Sequence, residues 1–134
     1  GLRAALHELA AATDMQQNVR CWFECPESVT VANNAMATHL YRIAQEAISN
    51  ALRHGQADQI RIALSEKDGY LVLDVSDNGI GFDPDDVRRA GPSGMGLRTM
   101  NYRASMIGGV VHIARAQQGG TLVRCTVLRG GTRE

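Results

Sequence analysis

The chain has 134 residues, close to the soft prior of roughly 150 per domain, so one domain with one core is expected, burying roughly two-thirds of its unfolded surface. With 44% hydrophobic and 21% charged residues, the composition excludes the disordered, collagenous and coiled-coil classes. Fourteen Lys+Arg against 14 Asp+Glu give no net charge, which argues against nucleic acid or an anionic membrane surface as partner and leaves a small anionic ligand open. Cys21, Cys25 and Cys125 have neither disulfide-framework nor zinc spacing and suit a reducing compartment. No apolar run approaches the ~20 residues of a membrane span, and the first residues lack a signal-peptide layout. The absent initiator Met fits a piece of a longer chain.

Leu2, Leu6, Leu9 and Ala10 fall at helical spacing over 2–13, before Thr13-Asp14. Val19, Cys21, Phe23 and Cys25 alternate with Arg20, Trp22 and Glu24 up to Pro26, which predicts a strand. Residues 35–54 carry Met36, Leu40, Ile43, Ala47, Ile48 and Ala51 on one stripe, with Gly55 at a helix-ending position. Ile60, Ile62 and Leu64, a turn at Lys67-Asp68-Gly69, then Leu71, Leu73 and Val75 predict a hairpin. Residues 79–96 hold five of the 14 glycines and two of the three prolines and read as a functional loop. Leu97, Met100, Ala104 and Ile107 restore helical spacing up to Gly108-Gly109. Two last alternating runs, 110–116 and 121–128, meet at Gln118-Gly119-Gly120, and the tail over about 129–134 is expected to fray. The elements predict an α/β fold: a two-layer sandwich in which about three helices cover one face of a mixed, mostly antiparallel sheet.

Glu46 and Asn50 are one helical turn apart and share a face beside the apolar stripe. A carboxylate with a carboxamide can hold hydrated Mg²⁺ and orient a nucleophile, although such a pair alone is ordinary surface polarity. Asp77 ends a strand on the side of Val75, and Gly79 and Gly81 follow. There a carboxylate can accept from an amino group such as that of adenine while glycines let the backbone approach a flat ligand; an Asx turn is the plain alternative. Asp74, Ser76, Asn78, Gly79 and Asp85 also fall at calcium-loop positions, but a strand precedes them and a short Asp closes the run, so calcium is rejected. Gly94-Met95-Gly96-Leu97 opens a helix, offering free N–H groups and the positive dipole end to phosphate. It is neither a P-loop nor a dinucleotide fingerprint. Gly119-Gly120-Thr121 reads alone as a turn.

Together and in this order, these segments resemble the Bergerat-fold ATPase family of gyrase-type topoisomerases, Hsp90 chaperones, sensor histidine kinases and MutL, over residues 2 to about 128. The run from Tyr41 to His54 looks like the N box of histidine kinases of the nitrate-sensor/NarL-partner type, and Met100-Asn101-Tyr102-Arg103-Ala104 and Ile107-Gly108-Gly109 agree with that subgroup. The resemblance implies ATP and Mg²⁺ as cofactors. It makes Asn50 the metal ligand, Glu46 the catalytic acidic residue, and Arg53 and His54 neighbours of phosphate or ribose. Asp77 becomes the adenine acceptor, with Gly79 and Gly81 in the G1 box. Gly94, Gly96 and Leu97 form the phosphate-capping G2 box, and Thr121 lies near adenine. Residues 83–95 would be the ATP lid, with a capped helical turn at Asp83-Pro84-Asp85-Asp86.

The implied activity is transfer of the γ-phosphoryl group to a His on a dimerisation domain outside this chain, for relay to a response regulator. A serine kinase and anti-sigma-factor binding protein of the same fold is the alternative. The reading puts the domain in the cytoplasm, on a parent chain that the inner membrane could anchor, with no membrane contact of its own. His7, in Leu6-His7-Glu8-Leu9, lies 43 residues before Asn50, too near to belong to a helical-hairpin acceptor, and is read as solvated. His39 is expected on a helix surface, His112 on a strand face, the three cysteines in the core, and Met95, Met100 and Met106 in packing and lid plasticity.

Overall fold

The structure, a computed structural model, describes residues 1–16, 18–26, 28–81 and 94–129. In chain order the elements are α1 (Leu2–Asp14), β1 (Arg20–Glu24), α2 (Asn34–Arg53), β2 (Gln59–Lys67), β3 (Tyr70–Asp77), α3 (Gly94–Met106), β4 (Gly109–Arg115) and β5 (Thr121–Leu128). The strands form one five-stranded sheet in the order β1-β2-β3-β5-β4. Only β1 and β2 pair in parallel; the other three pairings are antiparallel. The expected mixed sheet and its three helices are both present. The parallel pair exists because α2 is the crossover between β1 and β2, a connection that the period-two pattern of either strand cannot announce.

Local chemistry sets the boundaries. Asn33 caps α2, its Oδ1 accepting from the Met36 N–H at 2.9 Å. The buried stripe of α2 is Leu40, Ile43, Ala44, Ala47, Ile48 and Ala51, and its alanines let the helix lie close to its neighbours. Asp68 and Gly69 both have positive φ, 54° and 84°, giving β2 and β3 the two-residue hairpin turn that matches strand twist.

One face of the sheet carries the core in rows across the strands. Phe23, Ile62, Val75, Val123 and Ile113 follow one another through the register, as do Leu64, Leu73, Cys125 and Val111. Leu6 of α1, Leu40 and Ile43 of α2 and Met100 of α3 close over these rows, all fully or almost fully buried. The opposite face is open to water and laced by ion pairs, such as the two-pronged contact of Arg124 Nε and Nη2 with Asp74 at 2.7 and 2.9 Å.

Four expectations change. His39 is half-buried instead of lying free on the helix, because α3 runs back along α2 and brings Arg103 Nη1 to 3.4 Å from its Nδ1. Met106 does not pack: it ends α3 off the Met100–Ala104 stripe and is 55% exposed. Cys21 and Cys125 are core, but Cys25 lies past the end of β1 and is only half-buried. At the other end Arg129 does not fray, for its N–H donates to Gly69 O at 2.8 Å and its Nε meets Glu66 at 2.8 Å. His7 and His112 are exposed, as expected. The proposed helical turn at 83–86 and most of the 83–95 lid lie outside the described residues, as do residues 130–134.

Candidate functional site

Asp77 is the last residue of β3 and keeps the inward parity of Leu71, Leu73 and Val75, so it sits at the rim of the core face beside Ile60, and the residue as a whole is 5% exposed. A buried carboxylate needs donors. The Gly79 N–H donates to Oδ1 at 2.8 Å and the Thr121 N–H to the same atom at 3.3 Å. Both of these bonds go to Oδ1, so one oxygen is anchored by backbone, and among the described residues Oδ2 accepts no hydrogen bond. Gly120 passes so near that a methyl group there would lie 2.6 Å from the Asp77 carbonyl carbon and closer still to its carbonyl oxygen and to Oδ1. Gly119-Gly120-Thr121 is thus more than a turn: it is the wall against which the Asp77 carboxylate rests.

A second cluster lies on α2. A methyl group at Gly96 would stand 2.5 Å from Glu46 Oε2 and 3.1 Å from Asn50 Nδ2, so the first turn of α3 seats directly on this carboxylate and carboxamide. Helix geometry leaves the N–H groups of that turn without intrahelical acceptors. Arg53 Nη2 is 4.0 Å from Glu46 Oε2, and this arginine is largely exposed. The two clusters are joined through the end of α2. Asn50 O accepts from the His54 and Gly55 N–H groups at 2.9 and 3.1 Å, and Gly55 O accepts from the Ile80 N–H at 2.8 Å, just beyond Asp77.

The structure therefore brings Glu46, Asn50, Gly96, Asp77, Gly79 and Thr121 around one end of α2. Arg53 and His54 are exposed at its terminus, and Leu97 is half-buried behind Gly96. Gly81, with φ 78°, faces the β4–β5 hairpin, where Arg115 lies alongside. Three further contributors act by backbone contact or by holding backbone: Gly55, which the sequence marks only as a helix end, Gly120, which it marks only as part of a turn, and Asn78, which it marks only in the calcium-loop pattern. The calcium-loop alternative fails, since Asp74 is engaged by Arg124 and Asn78 by Asp58. Among the described residues no group of three or more His, Cys, Asp or Glu could hold a metal ion. A magnesium ion carried by a polyphosphate needs less from protein, one or two oxygens being enough, and Glu46 with Asn50 fits that demand.

Against known proteins, the sequence pattern of the "Histidine kinase-, DNA gyrase B-, and HSP90-like ATPase" family matches residues 35–130. The sensor histidine kinase LiaS of Bacillus subtilis is 35% identical over 127 residues, which is 95% of this chain and 34% of LiaS. The sensor protein VraS of Staphylococcus aureus (strain COL) is 42% identical over 85 residues, 63% of this chain and 24% of VraS. The chain thus spans about a third of the first relative and a quarter of the second. Among solved structures, the ATP binding domain of PrrB from Mycobacterium tuberculosis superimposes with a TM-score of 0.73 at 20% identity, covering 94% of this chain and 90% of that one. The blue-light activated histidine kinase EL346 of Erythrobacter litoralis gives 0.76 at 19% identity, over 99% of this chain and 46% of that one. No helix among the described residues is long and apolar enough to cross a membrane. A sheet with three helices on one face, a carboxylate at a strand end and a helix opening on a Glu/Asn pair thus coincide with a pattern match over most of the length, and the chain belongs to the histidine kinase-, DNA gyrase B- and HSP90-like ATPase family.

Proposed function

We propose that this chain is the ATP-binding catalytic domain of a sensor histidine kinase. The observation that carries the reading is the convergence of Asp77, the Glu46–Asn50 pair and the first turn of α3 around one end of α2. Asp77 Oδ2 accepts from the amino group of adenine while Oδ1 stays on backbone N–H groups. The N–H groups of 94–97 cap phosphate oxygens, and Arg53 and His54 lie where they can reach phosphate or ribose. Asn50, with Glu46 beside it, offers hard oxygens to Mg²⁺, which when bound neutralises phosphate charge.

Phosphoryl transfer asks the protein chiefly for position and charge compensation, which suits a site with few side chains. The bond from the γ-phosphorus to its bridging oxygen breaks, ADP leaves, and a new bond forms to an imidazole nitrogen of a dimerisation domain outside this chain. Glu46 is the catalytic candidate, placed to orient or deprotonate that nucleophile. A response regulator takes the group onward. The N box and the Met100–Ala104 stretch support placement in the NarL-partner subgroup, and the domain works in the cytoplasm on a parent that the membrane could anchor. The sensor-kinase names of the relatives favour this reading over the anti-sigma alternative.

Calorimetric titration tests it. The wild type binds Mg-ATP, and Asp77→Asn, which replaces the acceptor oxygens of a charged hydrogen bond by a carboxamide, weakens binding by roughly 10- to 100-fold. Equal affinity in the two proteins rejects the adenine assignment, and absence of Mg-ATP binding to wild type rejects the function. Glu46→Gln should keep nucleotide affinity within about threefold while lowering phosphotransfer.

A further inference from the structure

Asp77 is secured on its hairpin side by Thr121 and Gly120, but beyond it β3 ends and the chain has left the sheet. On that side the Ile80 N–H bond to Gly55 O holds the chain three residues on, and the residue next to Asp77 holds it at once. The Asn78 N–H donates to Gln59 O at 3.2 Å. Its side-chain Oδ1 accepts from the Asp58 N–H at 3.1 Å and the Gln59 N–H at 2.9 Å, and its Nδ2 donates to Asp58 Oδ1 at 2.7 Å. One carboxamide thus uses both its acceptor and its donor on a single dipeptide at the start of β2, some 20 residues away. An isosteric carboxylate would keep the two N–H bonds but set a second anion against Asp58.

We infer that Asn78, clamped on Asp58 and Gln59, is a positioning residue that sets the direction of the Asp77 carboxylate and thereby selects purines bearing a 6-amino group. The inference rests on the reading of Asp77 as the adenine acceptor. Only the two-residue step from Asp77 Oδ1 to the Gly79 N–H, at 2.8 Å, lies between the clamp and the recognising group. If Asn78 releases the dipeptide, the Gly79 N–H swings and the carboxylate turns with it. The phosphate end, built from α2 and α3, contains no part of this clamp, so its contribution to binding is untouched.

The experiment measures the affinity of the 134-residue chain for Mg-ADP and for the Mg complex of purine riboside diphosphate, which has hydrogen in place of the 6-amino group, alongside thermal melts. Asn78→Asp lowers ADP affinity by about tenfold, the scale of one hydrogen bond to a charged group, and leaves the purine riboside nucleotide nearly unchanged. The exchange of partners in Asn78→Asp with Asp58→Asn restores the donor–acceptor pair in reverse and recovers ADP affinity to within about threefold of wild type. Asp58→Ala removes only the side-chain half of the clamp and lowers the ADP preference in the same direction, which keeps the test alive should Asn78→Asp not fold. A parallel fall in both affinities, an exchanged pair that rescues nothing, or an Asp58→Ala protein with the wild-type preference overturns the positioning role. Asp77→Asn separates the two layers. If it binds ADP as wild type does, the adenine reading fails and takes this inference with it; if it loses the ADP preference while Asn78→Asp keeps it, the clamp alone is refuted.

Discussion

Gly120→Ala is the perturbation that most directly probes how the site is built. The new methyl group would fall 2.6 Å from the carbonyl carbon of Asp77 and nearer still to its carbonyl oxygen and Oδ1. These are mostly backbone atoms at the end of β3, paired with Ile60 of β2 and one residue past the last β3–β5 pair, Ser76 with Leu122, so they cannot turn aside as a side chain would. Overpacking of a well-filled site costs about 1–3 kcal/mol, and an unyielding neighbour puts this case at the upper end. For a chain of this size 1 kcal/mol corresponds to roughly 3–5 °C in Tm, so a fall of about 10 °C is expected, together with weaker Mg-ATP binding as Asp77 is displaced. Gly96→Ala is the matched comparison. Its methyl group would stand 2.5 Å from Glu46 Oε2, the far end of a flexible side chain whose surface is 27% exposed. Glu46 can rotate toward water, so the loss should stay below about 1 kcal/mol, or roughly 3–5 °C, while nucleotide affinity still drops. Circular-dichroism melts of the three proteins followed by Mg-ATP titration decide the matter. A Gly120→Ala protein melting within about 2 °C of wild type would refute the claim that backbone crowding seats the Asp77 carboxylate.

Leu64 is wholly buried in the central row of the core, and Leu64→Ala should cost about 2–5 kcal/mol in urea denaturation; a change under about 1 kcal/mol would mean that this row is loosely packed. The Cys21 and Cys125 thiols are pushed up to about 11, Cys125 by burial and Cys21 by burial first and then by the Asp14 carboxylate, against a partial opposing effect of its hydrogen bond with Thr13. They should resist iodoacetamide at pH 8 until the chain is unfolded. Because the unfolded thiols ionise near 9.0 while the folded ones hold their protons to about 11, the unfolded state binds fewer protons in that window. Their contribution to stability is therefore complete below pH 9 and lost as pH rises toward 11. Melts across this range should show a steeper decline for wild type than for Cys21→Ala/Cys125→Ala, and identical declines would refute the buried-thiol account.

Much of the fold is legible in the sequence because its elements bury continuous, periodic faces. The α2 stripe and the Ile60–Leu64 and Leu71–Val75 alternations mark both element type and inward face, and Asp68-Gly69 names its own turn. The inward placement of Asp77 was legible for the same reason, since a charge at an inward position of a strand end stands out. His39 and Met106 were misjudged because their surroundings depend on how α3 crosses α2, and that crossing leaves no local periodicity. Cys25 has the right parity, but the strand ends at Glu24, one residue before it. The β1–β2 pairing was hidden too, because parallel partners are set by the crossover between them and not by the strands themselves.

The site's scaffolding is the harder part to read, and its physics explains why. Two pairs of segments distant in the chain must touch here: the α3 start on Glu46 and Asn50, and the β5 start on Asp77. Both contacts are closer than a β-carbon permits, so each is made by an absent side chain, at Gly96 and Gly120. A carboxylate advertises its chemistry in any sequence, whereas a glycine only states that something is near without saying what. The pairing of each glycine with its carboxylate belongs to the fold alone. On the proposed reading, the polar residues named from the sequence are the half of the site that would meet ligand, whereas Gly120 and Asn78 contact or hold backbone and become visible only when the chain is closed up.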